Sequence, residues 1–164
     1  MRTEYAILTS IGVCAFAAAL EGLCAGKNVK SFFGTLRFPR FSAPLWAWSV
    51  IGGAYYLIFG FVIYRVLRLE SSVIRSAALA LVFFMMIVNA LTNYIIFRTR
   101  NLHQSFIVGS LFPVMDVALL ICLLQLDTLA AWLLAPYLIY RVYAVWWGYA
   151  LWKINRPVSS QNPN

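Results

Sequence analysis

Charged residues are scarce in this chain. They make up 11% of its 164 residues, whereas soluble domains carry about a quarter. Hydrophobic residues make up 63%, and a water-soluble fold of this size could not bury so much apolar surface. The composition therefore excludes an ordinary soluble domain and indicates an integral membrane protein.

Recognisable catalytic and metal-binding patterns are also missing from the sequence. The only histidine is His103, and the three cysteines show neither CxxC nor metal-ligand spacing. A lone histidine in a basic loop is typical of a solvated surface rather than of a metal or haem ligand. The sequence contains no Ser-His-Asp set, no paired-carboxylate site and no phosphate-binding glycine loop. We therefore expect no metal, no obligatory cofactor and no catalytic residues, and favour a binding role over an enzymatic one.

Acidic residues are few as well: five Asp and Glu stand against 13 Lys and Arg, for a net charge of +8. In a soluble protein such an excess would suggest nucleic-acid binding. Here the cations lie between long apolar runs, so their arrangement indicates membrane topology. We expect the lipid bilayer to be a partner and nucleic acid not to be one.

Five apolar runs follow one another, each close to the length of about 20 residues that a membrane-spanning helix needs. They cover residues 6–25, 44–64, 77–97, 106–126 and 130–152. These runs predict an all-α membrane protein, a five-transmembrane-helix bundle with a long first loop covering one end. A single domain of residues 1–155 and a polar tail of residues 156–164 complete the prediction. A cleaved signal peptide is the alternative for the first run, but its length favours a retained helix.

The cations are distributed unevenly between the two ends of the predicted bundle. The larger group belongs to the first loop, the third loop and the tail: Lys27, Lys30, Arg37, Arg40, Arg98, Arg100, Lys153 and Arg156. Since positively charged loops stay in the cytoplasm, this end should be cytoplasmic. The N-terminus is then predicted outside and the C-terminus inside, while the identity of the host membrane stays open.

Two opposite charges lie in the middle of the fourth and fifth runs. Asp116 and Arg141 are each about 18–20 Å along a helix from the turn between those runs. Equal depth predicts an ion pair, which either only joins the helices or also lines a polar cavity. Asn89 and Asn93 lie four apart on one face of the third helix. These amides either join helices or contact a ligand.

The first predicted loop is unusually aromatic and basic, with the sequence NVKSFFGTLRFPRFSAPLWAW at residues 28–48. Its prolines predict a non-helical turn that ends at Pro44, a residue suited to the first position of the second helix. The cations of this loop either only set the orientation or also meet carboxylates of a ligand. Arg37 and Arg40 are the candidates for such contacts.

The residues of this loop and of the fifth helix follow a known pattern. In the loop the matching residues are Phe32, Phe33, Leu36, Pro39, Phe41, Pro44 and Trp46. In LLAPYLIYRVYAVWWGYALWKIN they are Pro136, Tyr137, Leu138, Ala144, Trp152 and Asn155. Between these segments the pattern is also met by Tyr56, Asn89, Phe97 and Asp116. Over nearly its whole length the chain resembles the TspO/MBR family of tryptophan-rich sensory proteins and translocator proteins.

The chain departs from the usual pattern of that family at several positions. Gly52, Thr92 and Tyr140 stand where tryptophan is usual, and Arg141 has no counterpart. The chain is therefore identified as a divergent member. Inheritance of the fold is a firmer expectation than inheritance of one particular ligand or of porphyrin chemistry.

The resemblance implies a pocket inside the bundle that binds, transports or senses flat hydrophobic ligands such as porphyrins, haem and sterols. The predicted ligand-binding residues are Phe32, Phe33, Pro39, Phe41, Pro44, Trp48, Tyr56, Asn89, Asn93, Phe97, Asp116, Tyr140 and Ala144. A loose sterol-contact pattern also marks Val145, Tyr149 and Lys153. A homodimer is a further expectation, for which Gly22 and Gly26 provide a small-xxx-small pair. A porphyrin-degrading enzyme and a regulatory or scaffolding protein are the alternatives.

Overall fold

The computed structural model of the protein describes residues 2–156, and all regular secondary structure within that range is helical. The helices are α1 (Thr3–Ala25), α2 (Val29–Thr35), α3 (Leu45–Arg68), α4 (Val73–Phe97), α5 (Leu102–Gly109), α6 (Phe112–Leu126) and α7 (Thr128–Ile154). Five spans are long and apolar enough to cross a membrane: α1, α3, α4, α5 together with α6, and α7. The prediction of an all-α protein with five such spans is confirmed. The predicted polar tail lies outside the described residues from position 157 onward.

Several helices extend beyond their predicted ends. Helix α3 continues to Arg68 rather than residue 64, and α4 begins at Val73 rather than residue 77. Long cationic side chains at helix ends can reach the membrane interface, so a charge does not have to end a helix. Helix α4 begins after Ser72, whose hydroxyl accepts a hydrogen bond of 3.1 Å from the Arg75 N–H. The apolar runs therefore underestimate how far α3 and α4 extend toward the turn that joins them.

The fourth span is not the single helix over residues 106–126 that the sequence predicts. Helix α5 ends at Gly109 and α6 begins at Phe112, although the two residues between them keep right-handed helical angles. At this junction the Leu111 N–H donates to a carbonyl only three residues earlier, at 3.2 Å. Pro113 lies in the first turn of α6, where its missing N–H is tolerated. Pro113 thus helps to start a helix rather than kinking the middle of one.

The first connection, residues 26–44, also differs from the predicted non-helical loop because α2 lies within it. Phe32 of α2 is buried and packs edge-on against Phe97 at the end of α4, with ring centroids 6.2 Å apart. Beyond α2 the chain has no regular secondary structure until Pro44, which immediately precedes the first residue of α3. Pro44 is therefore the N-cap of α3 rather than its first helical residue.

The tightly packed core fills the half of the bundle that contains the α3–α4 and α6–α7 turns. Its largest fully buried side chains include Phe59, Ile63, Val66, Val82, Met85, Leu119, Leu123 and Leu134. Large apolar side chains also face outward, among them Leu57 and Ile139 at 77% and 76% exposure. Such an exterior suits contact with lipid, because the side chains are apolar and the backbone polar groups of each helix are already hydrogen-bonded within it. Aromatic and polar side chains occupy the opposite half.

Asp127 stabilises the turn between α6 and α7 through both carboxylate oxygens. Its Oδ1 accepts a hydrogen bond of 3.0 Å from the Ala130 N–H and so caps α7, while Oδ2 lies 2.6 Å from Nε of Arg65. Burial opposes ionisation, but the hydrogen bonds and the charge of Arg65 hold the pKa of Asp127 below its ordinary value. The resulting stabilisation is complete above about pH 4 and declines as the pH falls further.

Asp127→Ala is expected to lower the free energy of unfolding by about 1–2 kcal/mol, because α7 loses its N-cap. Asp127→Asn keeps a capping oxygen and loses only the ion pair, which is worth about 0–1 kcal/mol since the Arg65 side chain is 34% exposed. Thermal unfolding in detergent from about pH 7 to about pH 3 would measure both effects. Equal destabilisation by the two substitutions would contradict the capping role.

Candidate functional site

A cavity of about 770 Å³ opens inside the bundle at the end that carries α2. Side chains of α1, α3, α4 and α7 form its walls, and the first connection contributes Lys27, Lys30 and Phe33. Gly52 of α3 lines this cavity, and a Cβ atom built at this glycine would have no neighbour within 4 Å. The absence of a large side chain at this position therefore leaves space inside the bundle.

A second cavity of about 210 Å³ lies beside the first, between α4, α5 and α7. The side chains common to the two cavities are Trp48, Asn89, Asn93, Phe97, Arg141 and Trp147. Thr92, which replaces a tryptophan of the family pattern, lines the smaller one. The two cavities are therefore neighbours, separated by a shared set of side chains.

Aromatic rings form much of the wall. The ring of Trp48 lies 4.6 Å from that of Trp147 and 6.3 Å from those of Tyr140 and Tyr143, between centroids. Tyr140 and Trp147 are seven residues apart on α7, so the helical repeat brings both to one face. Flat aromatic faces offer a large apolar surface with little conformational freedom, which suits a flat apolar ligand.

Glu21 gathers three side chains from two other helices. Its Oε2 accepts hydrogen bonds from the Tyr56 hydroxyl at 2.5 Å and from Nδ2 of Asn89 at 2.8 Å. Its Oε1 accepts a bond of 3.0 Å from Nδ2 of Asn93. The interpretation of the two asparagines as links between helices is thus confirmed, and both also line the cavities.

The role of Glu21 was missed at the level of sequence, where it only interrupts the first apolar run. A signal was nevertheless present. Glu21 lies four residues before the end of α1, and Asn93 lies four residues before the end of α4. The first and third spans run in the same direction, so these residues are at similar depth. A carboxylate within a membrane span requires hydrogen-bonding partners, and Asn89 and Asn93 were the polar side chains predicted nearest to that depth.

The predicted ion pair between the fourth and fifth spans is confirmed. Nε of Arg141 donates to Oδ2 of Asp116 at 3.0 Å, with Asp116 fully buried and Arg141 only 7% exposed. The guanidinium carbon also lies 4.1 Å from the ring centroid of Phe112 and 4.9 Å from that of Tyr137. Arg141 lines both cavities, whereas Asp116 lines neither. The pair joins two helices, and its cation forms part of the cavity wall.

The cations at the cavity are not the two that the sequence suggested. Lys27 and Lys30 line the larger cavity, whereas Arg37 and Arg40 line neither. The backbone N–H and C=O of Arg37 instead bond to the side chain of Asn155, each at 2.9 Å. Both lysines are exposed at the edge of the cavity, Lys30 within α2 and Lys27 two residues before it, and this short helix could not be read from a segment expected to be non-helical.

The rest of the first connection is attached to α3 and α7 by hydrogen bonds. The Tyr143 hydroxyl accepts from the Ala43 N–H at 3.1 Å and donates to the Phe41 carbonyl at 2.9 Å. Nε1 of Trp147 donates to Oγ of Ser42 at 2.9 Å, and Nε1 of Trp48 donates to the Ala43 carbonyl at 3.2 Å. Both tryptophans therefore contact the cavity with their rings and the connection with their N–H groups.

Half of the predicted ligand-contacting residues come together at the cavities. The larger cavity is lined by Phe33, Trp48, Asn89, Asn93, Phe97 and Tyr140. The smaller one adds Ala144 and Val145. These residues come from α2, α3, α4 and α7.

The other predicted residues line neither cavity: Phe32, Pro39, Phe41, Pro44, Tyr56, Asp116, Tyr149 and Lys153. Phe32 and Pro39 are buried, whereas Phe41 is 72% exposed and Pro44 is also exposed. Tyr149 is 41% exposed on α7, with Nζ of Lys153 5.8 Å from its ring centroid. Tyr55 and Tyr137 line the larger cavity but were not predicted.

Comparison with known proteins supports the resemblance seen in the sequence. The sequence model of the TspO/MBR family matches residues 10–153, a range that contains every residue lining the two cavities. No curated protein sequence matches the chain.

Proposed function

The chain belongs to the TspO/MBR family, and we propose on that basis that it binds flat hydrophobic ligands, such as porphyrins, haem and sterols, inside the bundle. The observation that carries this proposal is the cavity of about 770 Å³ with aromatic walls. Its volume falls within the range of about 300–1,000 Å³ that is usual for small-molecule sites. Transport or sensing of the ligand would follow from binding at this place.

The charges around the cavity suggest how an amphiphilic ligand lies in it. Lys27 and Lys30 belong to the first connection and would meet ligand carboxylates near the mouth. The apolar body of the ligand would then pack against Trp48 and Trp147. In this proposal the first connection is a lid over the site, supported by its hydrogen bonds to α3 and α7.

The orientation of the bundle in the membrane indicates the side from which a ligand would enter. The mouth, α2 and the junction between α4 and α5 carry most of the loop cations. By the positive-inside tendency this end faces the cytoplasm, with the N-terminus outside and the C-terminus inside. A ligand bound beneath the lid would therefore exchange with the cytoplasmic side or with the adjoining lipid.

Titration with protoporphyrin IX is expected to quench the tryptophan fluorescence of the purified protein, because Trp48 and Trp147 line the cavity. The double variant Lys27→Gln, Lys30→Gln should bind protoporphyrin IX roughly threefold to tenfold more weakly, as expected for two partly solvated charge contacts. Its affinity for the uncharged dimethyl ester should not fall, since that ligand has no carboxylate to pair.

The matched control is Arg37→Gln, Arg40→Gln, which removes the same charge from residues that line neither cavity. Equal weakening by the two double variants would point to a general charge effect. Flat titrations with porphyrin and sterol alike would refute ligand binding and favour a role exerted through a protein partner. A porphyrin absorption spectrum that changes under illumination would favour the degrading enzyme.

A further inference from the structure

A polar groove of about 320 Å³ lies at the end of the bundle that carries α2. It forms where the chain passes from α4 into α5, against the end of α7. Three of its lining residues are exposed and carry side-chain nitrogen donors: Arg100, His103 and Arg156. None of the three lines either of the two cavities. The donors of this groove are therefore separate from those of the proposed ligand site.

Aromatic rings position these donors around the groove. The guanidinium carbon of Arg156 lies 4.8 Å from the ring centroid of Trp152, and the His103 ring lies 4.5 Å from the same centroid. The guanidinium carbon of Arg100 lies 5.6 Å from the ring centroid of Phe32 in α2. Attraction between a cation and an aromatic face restricts a long side chain, so less conformational freedom is lost when a ligand binds.

The cations of the groove are not offset by acidic side chains, because the five acidic residues of the chain lie elsewhere. Three belong to the opposite end of the bundle, and two accept hydrogen bonds from side chains inside it. These are, in that order, Glu4, Glu70 and Asp127, then Asp116 and Glu21. An anion in the groove would therefore meet an excess of positive charge without a nearby carboxylate to repel it.

The donors and their surroundings specify the kind of anion. Guanidinium groups bind phosphate oxygens through paired N–H groups, and an imidazole adds a further donor. Beside the groove the rings of Phe106, Tyr149 and Trp152 lie next to one another, with centroids 5.6–5.8 Å apart. Tyr149 lies one turn of α7 before Lys153 and is 41% exposed. This aromatic surface suits the acyl chains of a lipid, for which a soluble phosphate has no counterpart.

We propose that Arg100, His103 and Arg156 form a site for a phosphate group, supplied by an anionic phospholipid at the membrane interface. The phosphate lies in the groove, and the upper part of the acyl chains packs on Phe106 and Tyr149. Basic pockets between transmembrane helices bind anionic headgroups in this way. The site is independent of the proposed binding of flat ligands, because its donors do not line the cavities.

The test compares dioleoyl phosphatidylglycerol with dioleoyl phosphatidylcholine, which have the same acyl chains and differ in the net charge of the headgroup. Native mass spectrometry of the purified protein, titrated with each lipid in neutral detergent, would measure both affinities. The wild-type protein is expected to prefer phosphatidylglycerol by roughly tenfold to thirtyfold, the effect of two cations at the interface. Arg100→Gln, Arg156→Gln should remove most of this preference.

The matched control is Lys27→Gln, Arg40→Gln, which removes the same charge at the same end of the bundle from residues that do not line the groove. It should keep the wild-type preference. Arg100 and Arg156 are exposed, so their replacement should leave the unfolding midpoint in lipid-free detergent unchanged. The ratio of the two lipid affinities also cancels any general loss of folded protein.

Equal wild-type affinities for the two lipids would overturn the phosphate site while leaving the proposed function intact. An equal loss of preference in the two double variants would reduce the effect to the general charge of this end and would overturn the site as well. Inorganic phosphate in molar excess, at constant ionic strength, should leave phosphatidylglycerol bound. Its displacement would show that the groove takes a soluble phosphate and would overturn the assignment to a lipid.

Discussion

Replacing Arg141 by leucine is expected to lower the free energy of unfolding by about 3–5 kcal/mol. The substitution leaves the carboxylate of Asp116, which is 0% exposed, without its cation in the middle of the bundle. It also removes the guanidinium from its position 4.1 Å from the ring centroid of Phe112. An uncompensated charge at this depth must either take up a proton or draw in water, and both oppose folding.

Unfolding of the purified protein in detergent, followed by circular dichroism, would measure this loss. Val142→Leu is the matched control, because it alters the next residue of α7 at a position 68% exposed to the lipid side. Surface changes of this kind stay within about 0.5 kcal/mol. A similar unfolding midpoint for Arg141→Leu and Val142→Leu would show that the ion pair contributes little.

The double variant Asp116→Leu, Arg141→Leu separates the two interpretations of this pair. Removing both charges together should restore most of the lost stability, since buried ion pairs are often replaceable by apolar side chains. A stable double variant with unchanged ligand affinity would assign the pair a role only in joining α6 to α7. A stable double variant with weakened affinity would assign Arg141 a role in the site, in keeping with its place in both cavities.

The helical class and the five spans could be predicted because bilayer thickness sets the length of an apolar run. The ion pair could be predicted for a related reason, since equal distances from a turn give equal depth. The break between α5 and α6 could not be predicted. A proline in an apolar run is compatible either with a kink or with the first turn of a new helix, and Pro113 takes the second option.

The cavity was predictable only to the level of the helices that form it. Tyr56 was predicted and Tyr55 lines the cavity, a difference of one residue that corresponds to about 100° of rotation around α3. Hydropathy cannot resolve that rotation, because α3 is apolar on all sides. Whether Lys27 or Arg37 lies at the cavity depended on α2, a short helix in a segment with strong turn signals.

Glu21→Leu is expected to lower the free energy of unfolding by about 2–4 kcal/mol, because three donors lose their acceptor at once. Tyr56 and Asn89 lose Oε2, and Asn93 loses Oε1. Asn93 keeps a second bond, to the Asn89 carbonyl at 3.0 Å, and the cavity gives the freed amides some access to water. For these reasons the loss should be smaller than that of Arg141→Leu.

Glu21→Gln is the matched control, since glutamine has the same shape and keeps one carbonyl oxygen as an acceptor. It should cost about 1 kcal/mol. The position of α1 gives an independent measurement: Sγ of Cys14 lies 3.6 Å from the Tyr56 carbonyl, at the contact between α1 and α3. In a background with Cys24→Ala and Cys122→Ala, maleimide labelling of Cys14 should be faster in Glu21→Leu than in Glu21→Gln. If both variants label at the wild-type rate and unfold at the wild-type midpoint, apolar packing alone holds α1 in place. In that case the carboxyl group of Glu21 is available to bind the ligand.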